Sequence, residues 1–407
     1  MTLNFLSVVS LNCFILTYYK SMGIKVTNSL KHRLDSVILK NKRNVVVSPL
    51  AVHFALCKLA TAASGVTKDD LLAALGYEAP ELIETCYATM REPFSELARI
   101  DFIMFNKVFV NYTKNINSTF YRSTVNYGAE VEPVGFDYPT IAANFINNML
   151  DKTTLKRIPS IIEGTEITKE TSILLLSGVY FKVTLEHPFD TTKTRRMMFR
   201  LENGTRTPVY MMMKADAFRY LHEPETNVQF VNTKLASFGV SITLGVPRRT
   251  SGLLALLDKV HEDPEFLVHV HMAMHIQDVK LRVPRIKIKS KIDQTTYIKK
   301  MGLRSLFNRT HSGLTGILRK NATEQPMYLS KVKQNCFIDF DELGVFRGVS
   351  NNAVAPRRFE EGGMEVTADK PFYFSINLHE DPRHYYSVRT IMSGVYRGPS
   401  DGWITIV

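Results

Sequence analysis

The sequence predicts an α+β domain in which large β-sheets carry most of the core. Three observations predict it. Helical periodicity falls mainly in the first 152 residues, whereas the chain beyond Phe189 is mostly strand-like. No stretch rich in Pro, Gly or Ser divides the 407 residues, and no repeat of fixed period appears, so one large domain is favoured over several. One long segment near the carboxyl end lacks any period at all and lies between two strand-like runs.

Taken in order, Asn28 to Leu39 reads as an amphipathic helix, and Val45 to Gly65 as a short strand entering a buried helix that ends at Gly65. A helix from Lys68 to Leu75 stops at Gly76, and Tyr138 to Lys152 has helical spacing. Strands are expected at Phe102 to Val110 and at Ile173 to Phe181. The second is continuously apolar, as a strand buried on both faces must be. Further strands are expected at Thr207 to Met213, Gln229 to Leu235, Phe238 to Val246, Met274 to Val283, Phe337 to Phe340, Phe372 to Leu378 and Thr390 to Tyr396.

The aperiodic segment is a loop of about two dozen residues, about 344–367, with Asn-Asn, Gly-Gly and a Pro inside it. Loops of that length inside compact domains are uncommon and are usually functional or disordered, so this one is a bait or a linker. It holds Arg357 and Arg358, a dibasic pair at which a trypsin-like protease would cut.

Residues 1–23 contain the apolar run Leu3 to Tyr19, which has the length of a secretory signal core; an apolar amino-terminal strand or an uncleaved anchor is the alternative. Five Asn-x-Ser/Thr sequons, at Asn111, Asn117, Asn203, Asn308 and Asn321, accord with export and glycosylation. Asn203-Gly204 reads as a hairpin turn. Of four cysteines, Cys13 would leave with the signal, and Cys57 and Cys336 lie in apolar runs as buried thiols; with Cys86 the mature chain keeps an odd number, so no disulfide framework is implied. No metal-ligand spacing or cofactor motif is present, and a secreted, extracellular monomer is expected.

The formal charge of +12 raises the question of a polyanion partner. The strongest cluster runs from Lys280 to Arg304, where Lys287, Lys289 and Lys291 alternate with Ile286, Ile288 and Ile292. That alternation suits a half-buried strand with a wet face, the alternative being weak polyanion binding through the three lysines. No nucleic-acid motif or aromatic interleaving accompanies them. Enzyme motifs are missing too: no G-x-S-x-G elbow, no H-E-x-x-H and no phosphate-binding Gly-rich loop. His-Glu-Asp-Pro occurs at His261 and His379, each read as a polar turn rather than an acid/base pair.

Five ordered segments between Asn28 and Pro399 resemble the serpin family. Asn44 to Gly76 looks like its N-x-x-x-S-P-x-S-V segment and the helix after it. Phe145 to Ile158 is similar to the helix that crosses the main sheet, and Leu174 to Asp190 to the strand motif ending in P-F. Leu281 to Leu303 resembles the L-P-K-F-K-I region, and Ala368 to Ile376 the signature after the reactive loop. The resemblance implies a serpin-like fold over residues 24–407 and a bait loop that inserts as a new strand once a protease has cut it. It implies a hinge at Glu342 and Gly344 and a bait bond between Arg358 and Phe359, suited to the acidic pocket of a trypsin-like serine protease.

The departures from the family pattern bear on activity. Family inhibitors follow the hinge with Thr and Ala, whereas this chain has Val345, Phe346, Arg347, Gly348 and Val349. The resemblance puts Val345, Arg347 and Val349 on the face that is buried by insertion, so Arg347 would carry a charge under the sheet. Ser48, Ser177 and Gln334 stand where the family's sheet-opening cluster has Ser, Asn and His, and Ala51 replaces a second Ser. Val183 and Leu185 replace the Gly and Trp of the strand motif. One reading is a sheet no longer tuned to open, giving a substrate, decoy or carrier. Drift with intact mechanics, giving a working suicide inhibitor, is the alternative.

Overall fold

The computed structural model describes residues 38–79, 81–84, 97, 101–122, 128–237, 239–263, 265–319, 326–343, 363–381 and 384–406. Fifteen strands are present among them. They are β1 (Val45–Val47), β2 (Phe102–Asn111), β3 (Glu130–Val134), β4 (Ile173–Val183), β5 (Arg195–Arg200), β6 (Arg206–Glu223), β7 (Val228–Lys234) and β8 (Val240–Pro247). Then come β9 (His275–Pro284), β10 (Ile286–Asp293), β11 (Leu329–Phe340), β12 (Met364–Thr367), β13 (Phe372–Asp381), β14 (His384–Tyr396) and β15 (Trp403–Ile406). The helices are α1 (Pro49–Ala60), α2 (Gly65–Leu75), α3 (Ser118–Arg122), α4 (Pro139–Thr153), α5 (Gly252–Glu262), α6 (Phe266–Ala273) and α7 (Thr295–Lys300).

Two sheets form. A nine-stranded sheet runs β1-β14-β13-β8-β7-β6-β9-β12, with β5 also paired to β6, and a six-stranded sheet runs β15-β10-β11-β4-β2-β3. The α+β expectation holds. The main core lies between the inner face of the six-stranded sheet, α1 and the nine-stranded sheet; a second apolar layer lies between the opposite face and α4.

Local sequence explains the helices that matter here. Helix α1 starts at Pro49, whose missing N–H costs nothing in a first turn, and all twelve of its residues are buried. Lys58 is among them: its ammonium donates to the Phe120 carbonyl at 2.6 Å and lies 4.5 Å from the Phe120 ring centre. Burial lowers its pKa to about 7. The helix stops at Ala60 and not at Gly65; beyond its end the Ala62 carbonyl accepts from Gly316 N–H and Ser64 N–H donates to the Gly313 carbonyl. Gly65, at φ +55°, opens α2 instead. Helix α4 buries Ala142, Ala143, Ile146 and Leu150, one stripe at helical spacing. It comes close to the sheet because Gly178 lies beneath it, where an added Cβ would meet Leu150 Cδ1 at 2.5 Å.

Several expected strands prove longer, above all Phe337 to Phe340, which is the end of the twelve-residue β11. The reading of His379 as a turn residue is corrected. It is buried within β13, with Nε2 2.8 Å from Ser241 Oγ, since neighbouring strands supply the polar partners that the local sequence lacks. Cys57 and Cys336 are both buried, as expected. The carboxyl-terminal strand β15 was not foreseen; it adds in parallel to β10, from Lys289↔Trp403 to Ile292↔Ile406.

Candidate functional site: the β4–β11 seam and its hinge

Strands β4 and β11 are parallel neighbours in unbroken register from Lys331↔Leu174 to Phe340↔Val183. Their side chains alternate between the two layers. Val179, Phe181, Val183, Cys336, Ile338 and Phe340 belong to the main core, and Tyr180 and Phe337 to the layer under α4. Near its hinge end the core-side wall of the seam is therefore wholly apolar. Ser177 and Gln334, register partners on the same face, are its first polar pair.

The chain leaves β11 into a latch. Glu342 is only 4% exposed, yet its carboxylate is satisfied: Arg285 Nε and NH2 donate to Oε1 at 3.0 and 2.8 Å, Nε donates to Oε2 at 2.9 Å, and Thr194 Oγ1 donates to Oε1 at 2.6 Å. The Glu342 carbonyl accepts from Phe189 N–H at 3.1 Å. Burial pushes the carboxyl pKa up, but the bonds from Arg285 and Thr194 outweigh it and hold the group below its usual range. A carboxylate gripped by a guanidinium fork on the first residues after β11 fixes where the loop departs.

The outer side of the seam is strapped. Helix α4 rests on β4 through Leu150 and Gly178, while the chain after it is tied to β11. Asn335 Nδ2 donates to the Ser160 carbonyl at 2.6 Å, and Lys333 Nζ reaches both oxygens of Glu166 at 2.7 Å. Lys331 adds a 3.4 Å contact to Glu166. Asn147 of α4 holds the same segment, accepting from Ile161 N–H at 2.9 Å and donating to the Ile162 carbonyl at 2.8 Å. A strand entering between β4 and β11 must disturb this strap, because its anchors stand on both sides of the seam.

The expected opening cluster divides in two. Ser48 N–H donates to Gln334 Oε1 at 2.9 Å, Gln334 Nε2 returns a bond to the Ser48 carbonyl at 2.8 Å, and Ser48 Oγ donates to the Ile391 carbonyl at 2.8 Å. Ser177 Oγ turns instead to Asn106 Oδ1, at 2.7 Å, and Asn106 Nδ2 donates to the carbonyls of Ala51 and Gly128. Asn106 and Gln294, which donates to Gln334 Oε1 at 3.3 Å, are the members that sequence reading missed. An Asn in an apolar strand, breaking alternation at a buried position, was the available signal.

Lys287, Lys289 and Lys291 do alternate outward from β10, and Ile286, Ile288 and Ile292 point inward. Lys289 lies 4.8 Å from the Phe337 ring centre and Lys291 5.8 Å from that of Trp403. Aromatic interleaving, invisible along one strand, is supplied by its two neighbours. Asn203 and Asn308 are exposed on turns, and Asn203-Gly204 forms the β5–β6 hairpin with Gly204 at φ +84°. Asn117 opens α3, whereas Asn111 is buried with Oδ1 accepting from Thr113 N–H and Oγ1, a place where a glycan would meet protein. The expected amino-terminal signal, Cys13, Cys86, Asn321, Gly344, Val345, Arg347, Val349, Arg358 and Phe359 lie outside the described residues. The expected loop 344–367 ends earlier than read, since Met364 to Thr367 form β12, parallel to β9. Among the described residues no group of three or more His, Cys, Asp or Glu side chains is placed to hold a metal ion, and no helix is long and apolar enough to cross a membrane.

Comparison with known proteins agrees with this geometry. Residues 25–385 match the family model described as Serpin (serine protease inhibitor). Antitrypsin of Bombyx mori is 24% identical over 352 residues, covering 85% of this chain and 88% of that protein. The crystal structure of Manduca sexta serpin-12 superposes with a TM-score of 0.76 at 20% identity, covering 92% of this chain and all of that one. Uncleaved ovalbumin gives 0.78 at 18% identity, over 93% of this chain and 100% of its own.

Proposed function

The chain belongs to the serpin family, and we propose that it is a secreted, glycosylated member whose Arg358–Phe359 bond is a bait for trypsin-like serine proteases but whose cut loop inserts poorly. It would then act as a substrate, decoy or carrier. One observation carries this reading: the core-side wall of the seam is apolar for its first rungs beyond the latch. In the register that family membership implies, Val345 would enter beside Phe340 and Val183, and Arg347 between Ile338 and Phe181, both fully buried. Among the described residues no carboxylate waits there. Glu342 is held by Arg285, Asp341 pairs with Lys182 at 3.1 Å, and Asp339 alternates to the opposite face of β11. A buried guanidinium without a partner costs several kcal/mol, so hydrolysis of the acyl bond would overtake insertion.

Incubation with trypsin tests the proposal. Quantitative cleavage after Arg358 without a complex is expected, and a covalent band that survives boiling in detergent would establish the working suicide inhibitor instead. A second reading, weak polyanion binding through Lys287, Lys289 and Lys291, is favoured by one feature of the surface: among the described residues none of the three has a carboxylate within ion-pair distance. Salt-sensitive retention on heparin that disappears when all three are alanine supports it, and retention that persists dismisses that strand as the site.

A further inference from the structure

Strands β5 and β6 present a basic surface that the seam does not explain. Their antiparallel register sets Arg196 opposite Tyr210, Met198 opposite Pro208 and Arg200 opposite Arg206. All six side chains are exposed, Met198 by 51% and Tyr210 by 58%. Most other cations near these strands are neutralised: Lys214 by Asp216, Arg397 by Glu202 and Arg285 by Glu342. Among the described residues Arg196, Arg200 and Arg206 have no carboxylate partner. Arginines on an edge strand guard against sheet-to-sheet pairing, but that role does not call for large apolar side chains bared between them.

The pattern along the rungs is charge, apolar, charge. Alternate residues of a strand are about 7 Å apart, so the two charged rungs stand about 14 Å apart with Met198 and Pro208 between. An extended segment with carboxylates four residues apart and an apolar residue midway has the matching spacing. Guanidinium forks pair with carboxylates bidentately, and the apolar rung gives a peptide a contact that a sulfated glycan cannot use.

This surface is connected to the latch. The Arg285 guanidinium lies 5.1 Å from the Tyr210 ring centre while it grips Glu342, and its side chain is still 47% exposed. Thr194, the other side-chain donor to Glu342, immediately precedes β5. We propose that the outward face of β5 and β6 docks an acidic, extended segment of a partner protein, and that a carboxylate bound beside Tyr210 competes with Glu342 for Arg285 and loosens the hinge. The inference does not depend on Arg358 being a bait.

The probe is a fluorescein-labelled peptide carrying the repeat Glu-Ser-Leu-Ser-Glu, titrated into the full chain and followed by anisotropy. Arg196→Glu, Arg200→Glu and Arg206→Glu together are expected to weaken binding at least roughly tenfold, and Met198→Ala with Tyr210→Ala severalfold. Alanine at Lys287, Lys289 and Lys291 should leave binding unchanged. Saturating peptide is expected to speed hydrogen exchange at the Phe189 amide, which reports the Glu342 carbonyl bond; Arg285→Gln should speed it without peptide and abolish the further response. Equal affinity for the wild type and the triple reversal overturns the docking surface. So does a heparin hexasaccharide that outcompetes the peptide while Met198→Ala with Tyr210→Ala has no effect, since that outcome assigns the face to a glycan. Unchanged Phe189 exchange at saturation overturns the coupling to the hinge.

Discussion

Replacing Arg347 by Ala is the most direct perturbation of the proposed failure. On insertion the native guanidinium would come between Ile338 and Phe181, each with no exposed surface, and the carboxylates nearby are engaged or on the other face. An uncompensated buried charge costs about 3 kcal/mol or more, which on an insertion barrier slows the step roughly a hundredfold. Alanine removes that term and asks the wall to accept only a methyl group. The assay is the partition between covalent complex and cleaved product after mixing with trypsin, read by denaturing electrophoresis and by the moles of serpin consumed per mole of protease inactivated. Arg347→Ala should shift the partition toward complex by at least roughly tenfold, Arg347→Met should follow it, and Arg347→Lys should behave as the wild type. An alanine variant that partitions as the wild type does would refute the charge argument. Blame would then pass to the opening cluster, where Ser177 and Gln334 depart from the family pattern.

Other consequences follow from the same contacts. Arg285→Gln leaves Glu342 buried with Thr194 as its side-chain donor, and should cost about 2 kcal/mol in urea unfolding at pH 7, a figure discounted because Arg285 is half exposed. Because the native carboxyl pKa lies below the unfolded value of about 4.3, this contribution is complete above that value and is lost as pH falls through the native pKa, so wild type and variant should converge in acid. His271 and His379 act in the same direction but over a higher pH window: burial lowers their pKa values to about 3 and about 4, so both stay neutral in the fold while the unfolded chain takes up protons from about pH 6.5 downward. Stability should therefore drop on acidification between those limits, by about 1 kcal/mol per pH unit for each histidine, and His379→Asn should flatten the slope measured by denaturation at pH 7 and pH 5. Gly178→Ala should push Leu150 and α4 away from the sheet, costing about 1–3 kcal/mol and lowering the melting temperature in calorimetry.

How much of this was legible depends on the range of the interaction. The β10 alternation of Ile and Lys and the apolar run of β4 follow from periodicity alone, and both strands form where the pattern puts them. The pairing of Ser48 with Gln334 was reachable only through family resemblance, since 286 residues separate them. Asn106, Gln294 and the Glu166 anchor of the strap were not legible, because each is polar for the sake of a partner on another strand. The same holds for His379, whose buried place depends on Ser241 of β8 and not on its polar neighbours in sequence. Glu342 was singled out as a hinge residue, but its grip on Arg285 required β9 and β10 to bring a residue 57 positions earlier beneath the end of β11.

The order of rungs along the seam explains why a single residue would decide the outcome. Beyond Val345, the implied register pairs Arg347 with Ile338 and Phe181, Val349 with Cys336 and Val179, and Asn351 with the polar Gln334 and Ser177. Three of the four suit their slots. The misfit is the second to enter, before the apolar burial of Val349 or the hydrogen-bonding groups beside Asn351 can offset it. A cost met that early falls on the barrier as much as on the final state, and the competition with acyl hydrolysis is decided by the barrier. A fully cleaved chain given unlimited time would still reach the inserted form, whereas a protease waiting on the same step would be released.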